Sequence, residues 1–190
     1  MSKQLIQTPS QTVGPYFAYG LTAVQYSYPF TQIATGNCIS NEEIEGERIT
    51  IKGRLLDGAG NYIPDAMVEI WQADAEGSYA STVFKGFGRM GTGVNEDGSF
   101  KFDTVKPGSV QGAAPHITMI VFMRGLLVHA YTRIYFSDES ALNENDELLN
   151  SIETGRRQTL IAKRNETDGK VEYQFDICMQ GETETVFFDV

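Results

Sequence analysis

Two histidines and two cysteines are all that 190 residues contain, and there is a single tryptophan. So small a stock of imidazole and thiol limits any metal or acid–base chemistry the chain could run alone. Cys38 and Cys178 lie far apart and match no metal-ligand spacing. They read as free thiols of a reducing compartment. Long apolar runs are missing as well. Nothing is long enough to cross a bilayer, and the opening MSKQLIQTPSQT lacks the apolar stretch of a secretory signal. The expectation is a cytoplasmic protein. Positive charge is also scarce. Lys and Arg number 15 against 25 Asp and Glu, a formal net charge of −10. That balance disfavours nucleic acid and anionic membranes, because a phosphate backbone requires clustered cations. The Arg156-Arg157 and Lys163-Arg164 pairs read as solvated surface or subunit contact. A small anionic substrate would need one placed Arg, since the global field repels it.

What is present fits an ordinary globular protein: 41% apolar and 21% charged residues. The length suits one domain spanning 1–190, with a loop-rich arm over 1–46 and a core over 47–190. The arm is rich in Thr, Gly, Pro, Tyr and Asn and has no sustained periodicity. Its aromatics (Tyr16, Phe17, Tyr19, Tyr26, Tyr28, Phe30) are too many for a disordered linker, so it must pack on its own domain or a partner.

Strand signals dominate from residue 47. Ile49, Ile51 and Leu55 alternate with polar residues before a turn at Asp57-Gly58 and Gly60-Asn61. Residues 67–71 form a short apolar run, and a turn at 95–98 leads into the clean alternation of 99–103. Residues 116–122 and 126–136 are apolar and β-branched or aromatic, as central strands are. Asp168-Gly169 separates 159–164 from 171–177 in the manner of a hairpin, and 186–190 reads as a closing strand. Only the stretch from Ser137 to Ile152 has helical character, enough for a short helix or two turns. The expected fold is all-β: a sandwich or barrel core, the loop-rich arm, and at most one or two short helices.

Three ordered blocks carry a resemblance. The first is Thr8-Pro-Ser-Gln-Thr-Val-Gly-Pro-Tyr16. The second is Gly53-Arg-Leu-Leu-Asp-Gly, then Pro64-Asp-Ala-Met-Val-Glu-Ile-Trp-Gln-Ala-Asp74 and Gly77-Ser-Tyr79. The third is Val105-Lys-Pro-Gly108, Ala114-Pro-His-Ile-Thr118 and Tyr131-Thr-Arg-Ile-Tyr-Phe136. Together they resemble the intradiol ring-cleaving dioxygenases, and within them the subunit type that holds no iron. The tail from Arg156 onward is similar to it too.

The resemblance implies an assembly with a homologous, iron-bearing β subunit, which holds Fe(III) and opens the ring of protocatechuate with O2. Iron-bearing members bind the metal through two Tyr, two His and a solvent. The two His come as His-X-His, which strand alternation places on one face. The matching triplet here is His116-Ile117-Thr118. Tyr79 matches the first tyrosine, but the loop after Pro107-Gly108 offers Val110 where the second should be. With Val110 and Thr118 supplying neither phenolate nor imidazole, Tyr79 and His116 read as structural remnants, and the chain is expected to bind no metal.

The same resemblance implies a role in walling the partner's pocket, with Thr12, Gly14, Pro15 and Tyr16 in the N-terminal loop and Arg133 on the late strand. The residues agree in character. Gly14-Pro15 is a rigid turn that lets backbone approach a planar ligand. Arg133 is a charge in an apolar strand, requiring either a ligand or an internal carboxylate partner. Asp57, Asp65, Asp74 and Asp97 sit in turns without glycosidase-like pairing. His129 lacks a nucleophile motif, and Trp71 is expected in the core. A non-catalytic β-sandwich binding or structural protein is the alternative reading.

Overall fold

The computed structural model describes residues 20–28, 36, 39–40 and 42–190. The loop of Thr12, Gly14, Pro15 and Tyr16 lies outside the described residues, as does Cys38. Among the described residues, nine strands occur in chain order: β1 (Arg48–Leu56), β2 (Met67–Gln72), β3 (Phe87–Gly91), β4 (Ser99–Val105), β5 (His116–Phe122), β6 (Ala130–Phe136), β7 (Ile161–Thr167), β8 (Lys170–Gln174) and β9 (Ile177–Cys178). They hydrogen-bond in the order β3-β2-β5-β6-β7-β8-β1-β4, with β9 beside β1. The sheet folds back so that its two edge strands approach each other. The Lys101 amide of β4 lies 3.1 Å from the Met90 sulfur of β3. Edge strands so placed expose little unpaired backbone.

Alternation explains which side faces in. Ile49, Ile51 and Leu55 of β1 and Phe100 and Phe102 of β4 meet Val68, Ile70, Ile117, Met119, Val121 and Ile134 from the other half in one core. The β7–β8 turn, Asp168-Gly169, has φ of 52° and 74°. Two left-handed residues are what a type I′ hairpin turn requires, so the Asp-Gly signal was sound.

Four differences from the sequence expectation have physical causes. β3 was not anticipated, because Phe-Gly-Arg-Met-Gly carries two glycines in five residues; pairing with β2 holds it. β6 begins at Ala130, and residues 126–129 are loop. Residues 186–190 do not form a strand. They make one bridge, Phe188 with Tyr131, beside the part of β6 that β7 leaves unpaired. Finally, the helical segment resolves into three single turns, α1 (Ser140–Asn143), α2 (Glu147–Asn150) and α3 (Thr154–Arg157). The Ser137 hydroxyl accepts from the Arg164 amide instead of capping a helix, and Asp146 is the N-cap of α2. Among the described residues, no helix is long and apolar enough to cross a membrane.

Candidate functional site

β2, β5 and β6 run antiparallel side by side. With Ile70, Ile117, Met119 and Ile134 directed into the core, strand alternation gives the opposite face to Trp71, His116, Thr118, Tyr131, Arg133 and Tyr135. Register then sets rows across the strands. Trp71, Thr118 and Arg133 share one row, and His116 pairs with Tyr135 in the next.

Two loops close over one end of this face, and glycine lets them meet. A Cβ on Gly77 would fall 2.0 Å from the Ser109 carbonyl oxygen, and one on Gly108 would fall 2.5 Å from that of Ala75. Only bare backbone fits this approach. The Gly108 amide donates to the Asp74 carbonyl at 2.9 Å, locking the turn before Tyr79 onto the Val110 loop. Val110 and Ala113 bridge across a tight turn in which Gln111 and Gly112 are both left-handed, at φ of 50° and 87°.

Tyr79 stacks on Trp71, centroids 5.9 Å apart and planes 10° from parallel. The expectation that Trp71 belongs to the core is therefore corrected: it is 42% exposed on the outer face. Its position in β2 puts it opposite to Ile70, and an outward residue in a half-covered sheet meets solvent. Burial raises the Tyr79 phenol above its ordinary value, while Arg133 pulls it down. His116 is buried, with Nδ1 at 2.8 Å from the Ala114 carbonyl. A carbonyl only accepts, so Nδ1 carries the proton. Burial pushes this imidazole below its ordinary value, and Arg133 pushes it further. Thr118 Oγ1 lies 3.3 Å from the Tyr131 hydroxyl.

Arg133 is the charge around which these groups are arranged. Burial works against its protonated form, but hydrogen bonds to the Tyr135 and Tyr131 hydroxyls hold its pKa above the usual value. The internal carboxylate partner considered for it does not appear. No ion pair involving Arg133 occurs among the described residues, and its Nε is buried without a hydrogen-bond partner there. The side chain lines an open cleft of about 540 Å³, together with Gln111, Ala113, Asp146 and Leu148.

The four positions that the family resemblance matches to ferric ligands, Tyr79, Val110, His116 and Thr118, do not fit that ion. Val110 offers no donor, Thr118 is engaged with Tyr131, and a fixed guanidinium acts on both remaining groups, Tyr79 and His116. A hard trivalent ion needs several anionic oxygen or imidazole donors, and a neighbouring cation opposes it. Among the described residues, no group of three or more His, Cys, Asp or Glu could hold a metal. The turn carboxylates are spent on structure. Asp57 accepts from Ala59 and Asn61, Asp74 from Glu76 and Ser78, and Asp97 from Ser99, while Asp65 pairs with Arg124 at 2.9 Å. Sequence reasoning missed Asp146 and Tyr135. Asp146 was visible as a capping residue before Glu147-Leu148-Leu149, but nothing local announced its burial.

Fold and site together define a ring-cleavage dioxygenase scaffold. Residues 22–181 match the family described as Dioxygenase, and the chain belongs to the intradiol ring-cleavage dioxygenases as an alpha-type subunit. It is 48% identical over 195 residues to the protocatechuate 3,4-dioxygenase alpha chain of Burkholderia cepacia, covering 98% of each. With the alpha chain of Pseudomonas putida the identity is 44%, covering 97% of each. The B. cepacia beta chain is 30% identical over 178 residues, with 83% of this chain and 74% of that one covered. In fold, the chain is similar to an intradiol ring-cleavage dioxygenase from Tetranychus urticae. That match has a TM-score of 0.63 and 20% identity, and covers 92% of this chain and 94% of the other.

Proposed function

We propose that this single-domain chain, 1–190, is the alpha subunit of a cytoplasmic protocatechuate 3,4-dioxygenase. A homologous beta subunit would hold Fe(III) and, with O2, open protocatechuate between its hydroxyl-bearing carbons to 3-carboxy-cis,cis-muconate, in aromatic catabolism through β-ketoadipate. The similarity to named alpha and beta chains supports the pairing. In this reading the chain contributes pocket wall: Thr12, Gly14, Pro15 and Tyr16 from the N-terminal arm, and Arg133 from β6.

The observation that carries the reading is Arg133. A guanidinium on the outer face, lining a cleft and paired with no carboxylate among the described residues, is a site for a carboxylate from elsewhere. Arg suits that task because its planar fork meets a carboxylate with two parallel hydrogen bonds and keeps its charge. In a chain of net charge −10, a local cation must do the orienting.

The test is Arg133→Ala in the assembled enzyme. Removing one partner of a buried charged pair costs about 2–5 kcal/mol, roughly thirty-fold to several-thousand-fold in affinity. KM for protocatechuate should rise accordingly, and KM for catechol, which lacks the carboxylate, far less. Equal losses on both would return Arg133 to a structural role.

A further inference from the structure

Asp146 is 1% exposed, a carboxylate placed against the small apolar cluster of Ala114, Tyr135, Leu149 and Leu160. A helix cap as short as α2 does not require so buried a charge. Three donors converge on it. Oδ1 accepts from the Leu149 amide at 2.8 Å and from the Tyr135 hydroxyl at 3.1 Å, and Oδ2 accepts from the Ala114 amide at 2.9 Å. With both oxygens satisfied, the charge is tolerated in place.

The direction of the Tyr135 bond has a consequence. A carboxylate cannot donate, so the single phenolic proton of Tyr135 is committed to Asp146. The Tyr135 oxygen is left as an acceptor, and Arg133, two residues earlier on the same face of β6 and lining the same cleft as Asp146, is the cation placed to donate to it. An arginine can only donate. The chain Arg133 to Tyr135 to Asp146 therefore runs one way and has no alternative polarity. The other arm of the carboxylate holds Ala114, whose carbonyl fixes His116 Nδ1.

We infer that Asp146 is a positioning residue: by taking the Tyr135 proton it fixes the guanidinium of Arg133 in the orientation that receives the substrate carboxylate. This rests on the reading of Arg133 given above. Tyr135 stays protonated far beyond neutrality, its phenol pushed up to about 12 by burial, with Asp146 adding to the rise and Arg133 opposing it. The acceptor geometry is thus constant over any working pH.

Two variants test it in the assembled enzyme. Asp146→Asn removes the charge and cannot serve all three donors, since its NH2 must face either the Ala114 amide or the Leu149 amide and Tyr135 hydroxyl together, and it so weakens the hold on the Tyr135 proton. Tyr135→Phe removes the relay and leaves the backbone bonds of Asp146 intact, so it serves if the first variant folds poorly. Each should raise KM for protocatechuate relative to catechol roughly ten-fold, the worth of one hydrogen bond to a charged group, with kcat little changed. Combined with Arg133→Ala, neither should shift that ratio further. Equal changes for both substrates would make Asp146 a fold residue only and overturn the inference. If Arg133→Ala is selective but these two are not, the relay fails while the Arg133 reading stands. If Arg133→Ala itself is unselective, both fall together.

Discussion

Thr118 and Arg133 are partners across the β5–β6 ladder, so a neutral hydroxyl and a permanent positive charge lie side by side on the outer face. The guanidinium also acts on Tyr79 and His116: burial raises the Tyr79 phenol against the pull of Arg133, and burial lowers the His116 imidazole with Arg133 adding to the fall, so any metal ion brought to these two groups would meet a fixed positive charge.

The purified chain should accordingly take up no stoichiometric ferric iron. Metal analysis after incubation with iron, together with a visible spectrum, checks this. One iron per chain with a red-brown phenolate band would contradict the description of the site.

Trp71 is the only tryptophan in the chain, so its fluorescence reports the outer face without interference. Its stack with Tyr79 covers one side of an otherwise exposed ring. Tyr79→Ala should shift the emission to the red and speed quenching by iodide, with a stability loss of about 1 kcal/mol, the ordinary worth of an aromatic pair. Unchanged emission would mean that the two rings do not stack in solution.

How much of this was legible depended on the range of the interactions. β5 was delimited from sequence to the residue, because six of its seven positions are apolar or β-branched. The Asp168-Gly169 turn was equally plain. β3 was not, since its glycines speak against a strand and only its pairing with β2 makes one. The tail at 186–190 had the right composition, but against the edge of β6 that β7 leaves free it makes one isolated bridge and no ladder. At the site, Arg133 stood out as a charge in an apolar strand. Tyr135 and Asp146 did not, because an aromatic in a strand and an acid before a helix are each ordinary until folding brings them 3.1 Å apart. Trp71 went wrong for a related reason. Alternation told which face it shared, but not which face was covered.

Gly53 gives a sharper test of the fold. It sits mid-strand in β1, where a Cβ would lie 1.7 Å from the Phe175 carbonyl oxygen and 2.8 Å from the Phe100 ring. Neither can yield easily, since the Phe175 amide is bonded to the Lys52 carbonyl at 2.8 Å and Phe100 is fully buried. Gly53→Ala should cost about 3 kcal/mol, the upper end of ordinary overpacking. For a chain of this size that is a fall in Tm of roughly 6–12 °C. Gly155→Ala is the control. Nothing lies within 4 Å of its added carbon, so thermal denaturation should show it neutral or slightly stabilised.

Lys106 reaches from the end of β4 to the start of the helical segment. Its Nζ lies 2.8 Å from Asp138 and 2.5 Å from Glu139. The Lys106 side chain is only 13% exposed and that of Asp138 32%, so the pair falls between a solvated bridge and a buried one. Tyr173 adds its hydroxyl to Asp138 at 3.0 Å, tying β8 to the same point. Burial opposes the charge on Lys106, but the hydrogen bonds to Asp138 and Glu139 outweigh it and raise its pKa. Burial likewise opposes the charge on Asp138, and the bonds from Lys106 and Tyr173 lower its pKa nonetheless. The signs fix a window. Stability from a raised Lys106 is complete below the ordinary ammonium value, about 10.4, and is lost as pH climbs through the folded value. Stability from a lowered Asp138 is complete above the ordinary carboxylate value, about 3.9, and is lost as pH falls through the folded one. Lys106→Met should therefore destabilise by about 1–3 kcal/mol. The difference from the parent should stay flat between roughly pH 5 and pH 9 and shrink as acid protonates Asp138. Urea denaturation across that range measures it. A difference that persists unchanged at pH 2 would assign the loss to the contacts of Lys106 with the Phe136 and Tyr173 rings, and not to its pairing with the carboxylates.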